Sequence, residues 1–318
     1  MTAISTDDVT LLLVDGHNLL FRACFGSPAE IYSRDEPRRD ITTQFMFAAM
    51  LRKGINDELA TWPEVLVVFD GQNGTAQRKE ADANYKAQRP DLAEGPGRNP
   101  IEALDDVKAI LDVYGIAWIE IDDAEADDVI ATLVAANPHR DILINSMDQD
   151  FYQLLRDRQP GGASVRVLNT AMRPGARLIG PAQVSERYGI TPTQFADFRA
   201  LCGDTSDNIP GVKGIGAKTA ATLLADGLLL EDLARSDRLT HGTKAAAITA
   251  AWQQVLTWRE MIRTRHDLPL PIQPTGRPTH PLPVPGEVID KLGLWGTAPA
   301  AKPRSATASQ ITCQESLW

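Results

Sequence analysis

Nine acidic side chains hold the chemistry of this chain, and their order is more telling than their number. Asp15 follows the apolar run LLLV, Asp70 follows VLVVF, and Asp148 and Asp150 follow DILIN. The segment EADDVIATL adds Glu125, Asp127 and Asp128 at the head of a helix, where i,i+3 spacing puts Glu125 and Asp128 on one face, and GDTSDN adds Asp204 and Asp207. Ligands of α/β sheets bind beyond the carboxyl ends of the strands, so acids that trail successive strands converge on one crevice. Such a group stays ionised only around cations. With oxygen donors alone and no His or Cys interleaved, the matching ions are Mg²⁺ or Mn²⁺. Two of them roughly 4 Å apart activate water and stabilise a leaving oxygen at phosphorus, which is phosphodiester hydrolysis. Taken singly, each acid reads equally well as a helix cap, a turn former or a solvated charge; their joint placement is what that reading leaves unexplained. Asp122 and Asp123 keep it.

The elements that must position these acids follow from the apolar pattern. LLLVDG (11–16), VLVVFDG (65–71) and DILINS (141–146) have strand length, and helical stretches such as ITTQFMFAAMLRKGINDEL and IEALDDVKAILDVYG separate them. This alternation predicts a parallel sheet covered by helices over the first 180 or so residues. From Thr191 the pattern turns to helical segments broken by Gly-rich turns, with no further strand, which predicts a small α-helical second domain ending near Leu270. The Pro-rich stretch that follows is expected to be extended, though EVIDKLGLWG within it has residues fit to pack on the body, and the last twenty residues read as a flexible tether.

Two further segments face a polyanion. NIPGVKGIGAKTAATLL places Gly211, Gly214 and Gly216 in a turn that opens a helix, with Lys213 and Lys218 beside it, a backbone cradle for a DNA phosphate that reads shape and no base sequence. Between Asp70 and Pro100 a polar, Gly-bounded stretch carries Arg78, Lys79, Tyr85, Lys86, Arg89 and Arg98. A mobile helical element there sets cations against phosphate and Tyr85 against an unpaired base, whereas a solvated surface helix has the same composition.

Composition narrows the class. The chain has 318 residues, 43% of them hydrophobic, and no run of 18 apolar residues; its N-terminus MTAISTDDV is acidic where a secretory signal is basic. A cytoplasmic address and no membrane partner are expected. Cys24, Cys202 and Cys313 match neither a disulfide framework nor a zinc site. The net charge of −10 runs against nucleic-acid binding, but many of the 42 acids sit in the clusters above, where bound cations reverse the local field.

Together, LLLVDGHNLLFRACFG, VVFDG, RKEADANYKAQRP, EADDVIATL, MDQDFYQLL and GDTSDNIPGVKGIGAKTA resemble the bacterial 5′ nuclease family, which includes the N-terminal domain of bacterial DNA polymerase I, over roughly residues 9 to 270. The resemblance implies a PIN-like (resolvase-like) α/β domain over 1–185 with a helical arch at about 72–100. It implies a helix-hairpin-helix DNA-binding domain over 186–270, leaving 271–318 as Pro-rich segment and tail. It assigns Asp15, Asp70, Glu125, Asp127, Asp128 and Asp148 to a first metal, and Asp148, Asp150, Asp204 and Asp207 to a second. It sets Lys86 and Arg89, preceded by Tyr85, at the scissile phosphate, with Arg22 and Arg78 as further phosphate contacts. It also implies a K⁺ ion on the carbonyls of Val212 and Ile215.

The expected function is therefore a structure-selective, metal-dependent 5′ exonuclease or flap endonuclease acting as a monomer on branched or nicked duplex DNA. Two other classes compete with it. A non-catalytic DNA-junction scaffold has no use for the full set of acids, and a PIN-like ribonuclease has no use for the hairpin. Two departures stand out. INSMDQD has Ser146, Met147 and Gln149 where relatives more often show Thr-Gly or Thr-Ala and a Lys, and no polymerase follows, so a stand-alone enzyme is expected. Gln314, Leu317 and Trp318 of QESLW resemble the short peptides that dock bacterial repair proteins on the sliding clamp.

Overall fold

The computed structural model describes residues 9–27, 29–89 and 97–297. Strand β1 (Leu11–Asp15) lies inside a six-stranded sheet, with β2 (Glu64–Asp70) and then β3 (Ala117–Ile121) on one side. On its other side follow β4 (Ile142–Asn145), β5 (Val165–Leu168) and β6 (Leu178–Ile179). All pairings are parallel except β5 with β6. The three strands legible in the sequence are β1, β2 and β4. The other three escaped because β6 has two residues, β5 interrupts its apolar run with Arg166, and β3 mixes Trp118 and Glu120 into a half-covered edge.

The helices of this half are α1 (Gly16–Phe25), α2 (Thr42–Glu58), α3 (Ala76–Ala81), α4 (Leu104–Tyr114) and α5 (Ala126–Ala136). Alternate residues of β1 serve opposite cores: Leu12 and Val14 pack with Leu19, Phe47 and Leu51, and Leu11 and Leu13 pack with Val129, Ile130 and Leu133. Burial on both faces is why the strands read as unbroken apolar runs. The chain winds from β1 to β2 and β3, then returns to place β4 on the other side of β1. That reversal opens a crevice beyond Asp15 and Asn145. Gly16 admits the turn there, since a Cβ would stand 2.8 Å from the Val68 carbonyl.

The second half is helical: α6 (Pro181–Tyr188), α7 (Phe195–Cys202), α8 (Ala217–Leu223), α9 (Leu230–Leu233), α10 (Thr243–Ala250) and α11 (Trp252–Ile262). It shares one core with the sheet half, joined by the edge-on and tilted rings of Tyr152, Tyr188, Phe195 and Phe198.

One expectation is adjusted here. Among the described residues, 72–100 holds no continuous arch helix: α3 has six residues and ends at Asp82, turns follow through Gln88, and Pro90–Pro96 lie outside the described residues. The Pro-rich stretch is extended up to Pro285, and EVIDKLGLWG packs on the body, both as expected. Thr279 bonds Pro63 and Val65 of the sheet edge, Thr275 and Gly276 bond Glu64, and α12 (Pro285–Lys291) buries Val288 and Ile289 against α2 and α4. Prolines forbid a regular element, but the apolar residues spaced between them still find the core. Gln314, Leu317 and Trp318 lie outside the described residues.

Candidate active site

The crevice at the sheet reversal is a cavity of about 340 Å³ lined by Asp15, Asp70, Glu125, Asp127 and Asp148, with Lys86 and Arg89 at its rim. Each acid is fixed by its element. Asp15 caps α1, its Oδ1 accepting the Asn18 N–H at 3.0 Å, and its Oδ2 accepts the Ser146 hydroxyl at 2.8 Å. The same Ser146 oxygen accepts the Asp148 N–H at 3.0 Å, so one buried hydroxyl sets the acids of β1 and β4 relative to each other. Asp70 accepts the Ala126 N–H at 2.7 Å, at the positive end of α5, and its own N–H donates to His17 Nδ1 at 3.0 Å.

A second group adjoins. Asp150, Asp204 and Asp207 are all buried; Asp150 donates its N–H to Asp148 Oδ1 at 2.9 Å, Asp204 accepts from Ser206, and Asp207 faces Lys86 and Arg89. Burial pushes the Asp15 carboxyl up to about 7, with the charge of Asp70 adding to it. Burial likewise pushes Asp127 up to about 8, against the pull of Arg78. Asp150 and Asp207 are also raised, chiefly by burial. Buried acids crowded this way shed the strain by taking a proton or a cation. All-oxygen donors suit a hard divalent ion. Among the described residues no three acids, histidines or cysteines stand close enough to grip one ion as they are. Several of the acids are instead held by cations of the chain.

Glu125 shows this most clearly. Lys86 and Arg78 both pair with it, and Tyr85 donates to it at 3.0 Å; although burial works to raise its carboxyl, the two cations hold it below its ordinary value. Lys86, itself buried, is pushed up to about 12 by Asp207 and Glu125 against the effect of burial. Arg89, 56% exposed, stands at the mouth.

Four sequence assignments change. Asp128 does not line the crevice; at 1% exposure it binds Arg78 at 2.9 Å and both the N–H and the guanidinium of Arg265. The i,i+3 spacing does put Glu125 and Asp128 on one side, where both meet the Arg78 guanidinium, but Arg265 holds Asp128 away from the crevice. Arg78 is buried and spent: its Nε donates to the Met261 carbonyl at 2.8 Å and its Nη2 to Asp128, leaving no hand for a phosphate. Tyr85, 1% exposed, presents no ring to a base. Arg22 is half-buried, donates to Thr170 at 2.9 Å and is absent from the crevice lining.

The hairpin keeps its expected form. Gly211 and Gly214 take φ of 67° and 84°; Val212 and Ile215 are buried, while Lys213, Gly214, Gly216 and Lys218 face outward. The Val212 carbonyl accepts the Ile215 N–H at 2.9 Å within this turn. Ser146, His17 and Arg265 escaped the sequence reading as site-building groups. Gln149, noted as a departure, turns from the crevice and accepts from Tyr188 and Arg199 at 2.7 and 2.6 Å, tying the two halves together.

Residues 10–189 match the family model described as 5′-3′ exonuclease, N-terminal resolvase-like domain, and residues 190–281 match 5′-3′ exonuclease, C-terminal SAM fold. The chain belongs to the 5′-3′ exonuclease family. This 5′-3′ exonuclease homologue is 38% identical over 265 residues to the thermostable DNA polymerase I of Thermus aquaticus, covering 82% of the chain and 29% of the polymerase. It is 38% identical over 225 residues to DNA polymerase I of Deinococcus radiodurans, covering 70% and 21%. It thus spans less than a third of the curated relatives it matches. Among solved structures, the T5 D15 protein co-crystallised with metal ions superposes with TM-score 0.61 at 21% identity, covering 90% of this chain and 94% of that one. These comparisons bear out the resolvase-like α/β domain with a small helical domain after it. No helix among the described residues is long and apolar enough to cross a membrane.

Proposed function

We propose that this family member is a structure-selective 5′ nuclease that hydrolyses DNA phosphodiesters at 5′ flaps, nicks or gaps. The observation that carries the reading is the convergence of Asp15, Asp70, Glu125, Asp127 and Asp148, from the ends of β1 and β2, the head of α5 and the exit of β4, on one cavity rimmed by Lys86 and Arg89. Asp15, Asp70, Glu125, Asp127 and Asp148 are the candidate ligands of a first Mg²⁺ or Mn²⁺, and Asp148, Asp150, Asp204 and Asp207 those of a second. Bound ions supply the activation of water and the stabilisation of the leaving oxygen.

The chain's own groups do the rest. Ser146 holds Asp15 and Asp148 in register, Arg89 meets the incoming phosphate at the mouth, and Lys86 follows it inward. The outward Lys213, Gly214, Gly216 and Lys218 grip the duplex backbone through N–H groups and charge, with Gly211 shaping the turn against Gly203 and a K⁺ ion on the Val212 and Ile215 carbonyls. Proteins of this fold support the reading: the bacteriophage T5 flap endonuclease was crystallised with DNA and metal ions, and the Rad2 core with DNA substrate. We take the working form to be a cytoplasmic monomer, and the tail bearing Gln314, Leu317 and Trp318 to dock on a sliding clamp, which deletion of 314–318 abolishes.

The test is cleavage of a 5′-labelled flap duplex in Mg²⁺ or Mn²⁺. Cutting is expected to stop in EDTA and to fall at least a hundredfold in Asp148→Asn, about 2.7 kcal/mol of lost transition-state stabilisation. Tight flap binding without cutting in either metal contradicts the reading and favours a scaffold.

A further inference from the structure

Resting on the metal-nuclease reading, the two oxygens of Glu125 have different lives. Oε2 accepts from Arg78 Nη1 and from the Tyr85 hydroxyl at 3.0 Å; Oε1 accepts from Lys86 Nζ. The partners of Oε2 are immobile. Arg78 is anchored by the Met261 carbonyl at 2.8 Å, by Asp128 at 2.9 Å and by the Arg263 carbonyl at 3.4 Å, and the Tyr85 ring is fully enclosed.

The partner of Oε1 is held differently. Among the described residues the Lys86 ammonium meets two carboxylates, Glu125 and Asp207 at 3.9 Å, and the face of Tyr85 at 4.7 Å, and it donates to no backbone carbonyl. Its own backbone sits at φ 53°, a left-handed conformation that side-chain-bearing residues adopt only when their surroundings enforce it. Its contacts are therefore acids that a divalent ion also seeks, reached from a strained backbone.

We propose that Glu125 is a two-position ligand: Arg78 and Tyr85 are positioning residues that hold Oε2 permanently, and Oε1 exchanges between the Lys86 ammonium and a divalent metal ion. In the free protein Lys86 fills the place of the cation, so metal entry and release of the Lys86 ammonium are one event, while its backbone N–H stays on the Asp207 carbonyl at 3.2 Å. The freed ammonium is then available at the crevice rim for a phosphate. Tyr85 aims the ligand oxygen and does not stack on a base.

Titration of the full chain with Mn²⁺ in the absence of DNA, followed by electron paramagnetic resonance of the free ion, tests this without relying on catalysis. Lys86→Met is expected to tighten Mn²⁺ binding by about tenfold, ~1.4 kcal/mol, as the competing charge-assisted hydrogen bond is lost. Tyr85→Phe, which keeps the buried ring, is expected to weaken it by about tenfold, as loss of a group that orients a metal ligand does. The opposite signs are the signature. Unchanged or weaker binding in Lys86→Met, or unchanged binding in Tyr85→Phe, overturns the proposal while leaving the nuclease reading intact. Failure of all three proteins, wild type included, to bind Mn²⁺ overturns both.

Discussion

Arg78 Nη2 lies 2.9 Å from Asp128 Oδ1 in a buried pair that joins the foot of α3 to the first turn of α5, and Arg265 closes the group from the chain beyond α11. Both acid and guanidinium are out of water, so neither is free for metal or substrate. Breaking a buried pair from one side leaves the other charge uncompensated, at a cost of about 3–5 kcal/mol. Asp128→Ala should therefore lower the unfolding free energy read from urea denaturation by that much, whereas Asp148→Asn, in the crevice, should not. Equal stability losses in the two variants would restore Asp128 to the crevice.

The raised acids make a pH prediction. Asp15 has a folded value of about 7 against 3.8 for the free group, so the folded state holds the proton longer. Its contribution to stability is present below about pH 4 and is lost as pH rises toward 7, on the order of 4 kcal/mol in all. In EDTA the melting temperature of wild type minus that of Asp15→Asn should fall steadily across that range. Saturating Mn²⁺ should remove the slope, because an ion takes the place of the proton. A flat difference in EDTA would refute the assignment of Asp15 to a crowded, cation-seeking site.

Ser146 donates to Asp15 and accepts from Asp148, so its removal loosens two acids at once. Ser146→Ala is expected to lower kcat by about tenfold, ~1.4 kcal/mol, with KM for a flap duplex nearly unchanged, and Ser146→Thr to recover most of it. A rise in KM without loss of kcat would place Ser146 in substrate binding instead.

The C-terminal strap should be structural. Ile289 is fully enclosed between α2 and α4, and truncating such a side chain costs about 2–5 kcal/mol. Ile289→Ala should show this in urea unfolding. A loss under 1 kcal/mol would mean that α12 is not docked in solution.

Much of the site was legible because β1, β2 and β4 are buried on both faces and each hands its chain directly to an acid: Asp15, Asp70 and Asp148 could be placed by counting past an apolar run. Glu125 and Asp128 were paired by their i,i+3 spacing, and both do meet one guanidinium, Arg78. The contacts of Asp128, Arg78 and Tyr85 were not legible because their partners are remote. Arg78 meets the Met261 carbonyl 183 residues away, and a contact of that separation leaves no local trace. The arch was implied by the resemblance, the charge pattern having left a solvated surface helix open; Asp82 caps α3, and the turns beyond it follow the backbone bonds of Tyr85 and Ala87.

The most direct measurement is the site of cutting on a 5′-labelled flap duplex beside the same strand alone, in Mg²⁺, with wild type and Asp148→Asn. The account predicts products near the flap junction, little cutting of the free strand, and none by the mutant above background. Equal cutting of duplex and free strand, or undiminished cutting by Asp148→Asn, would contradict it.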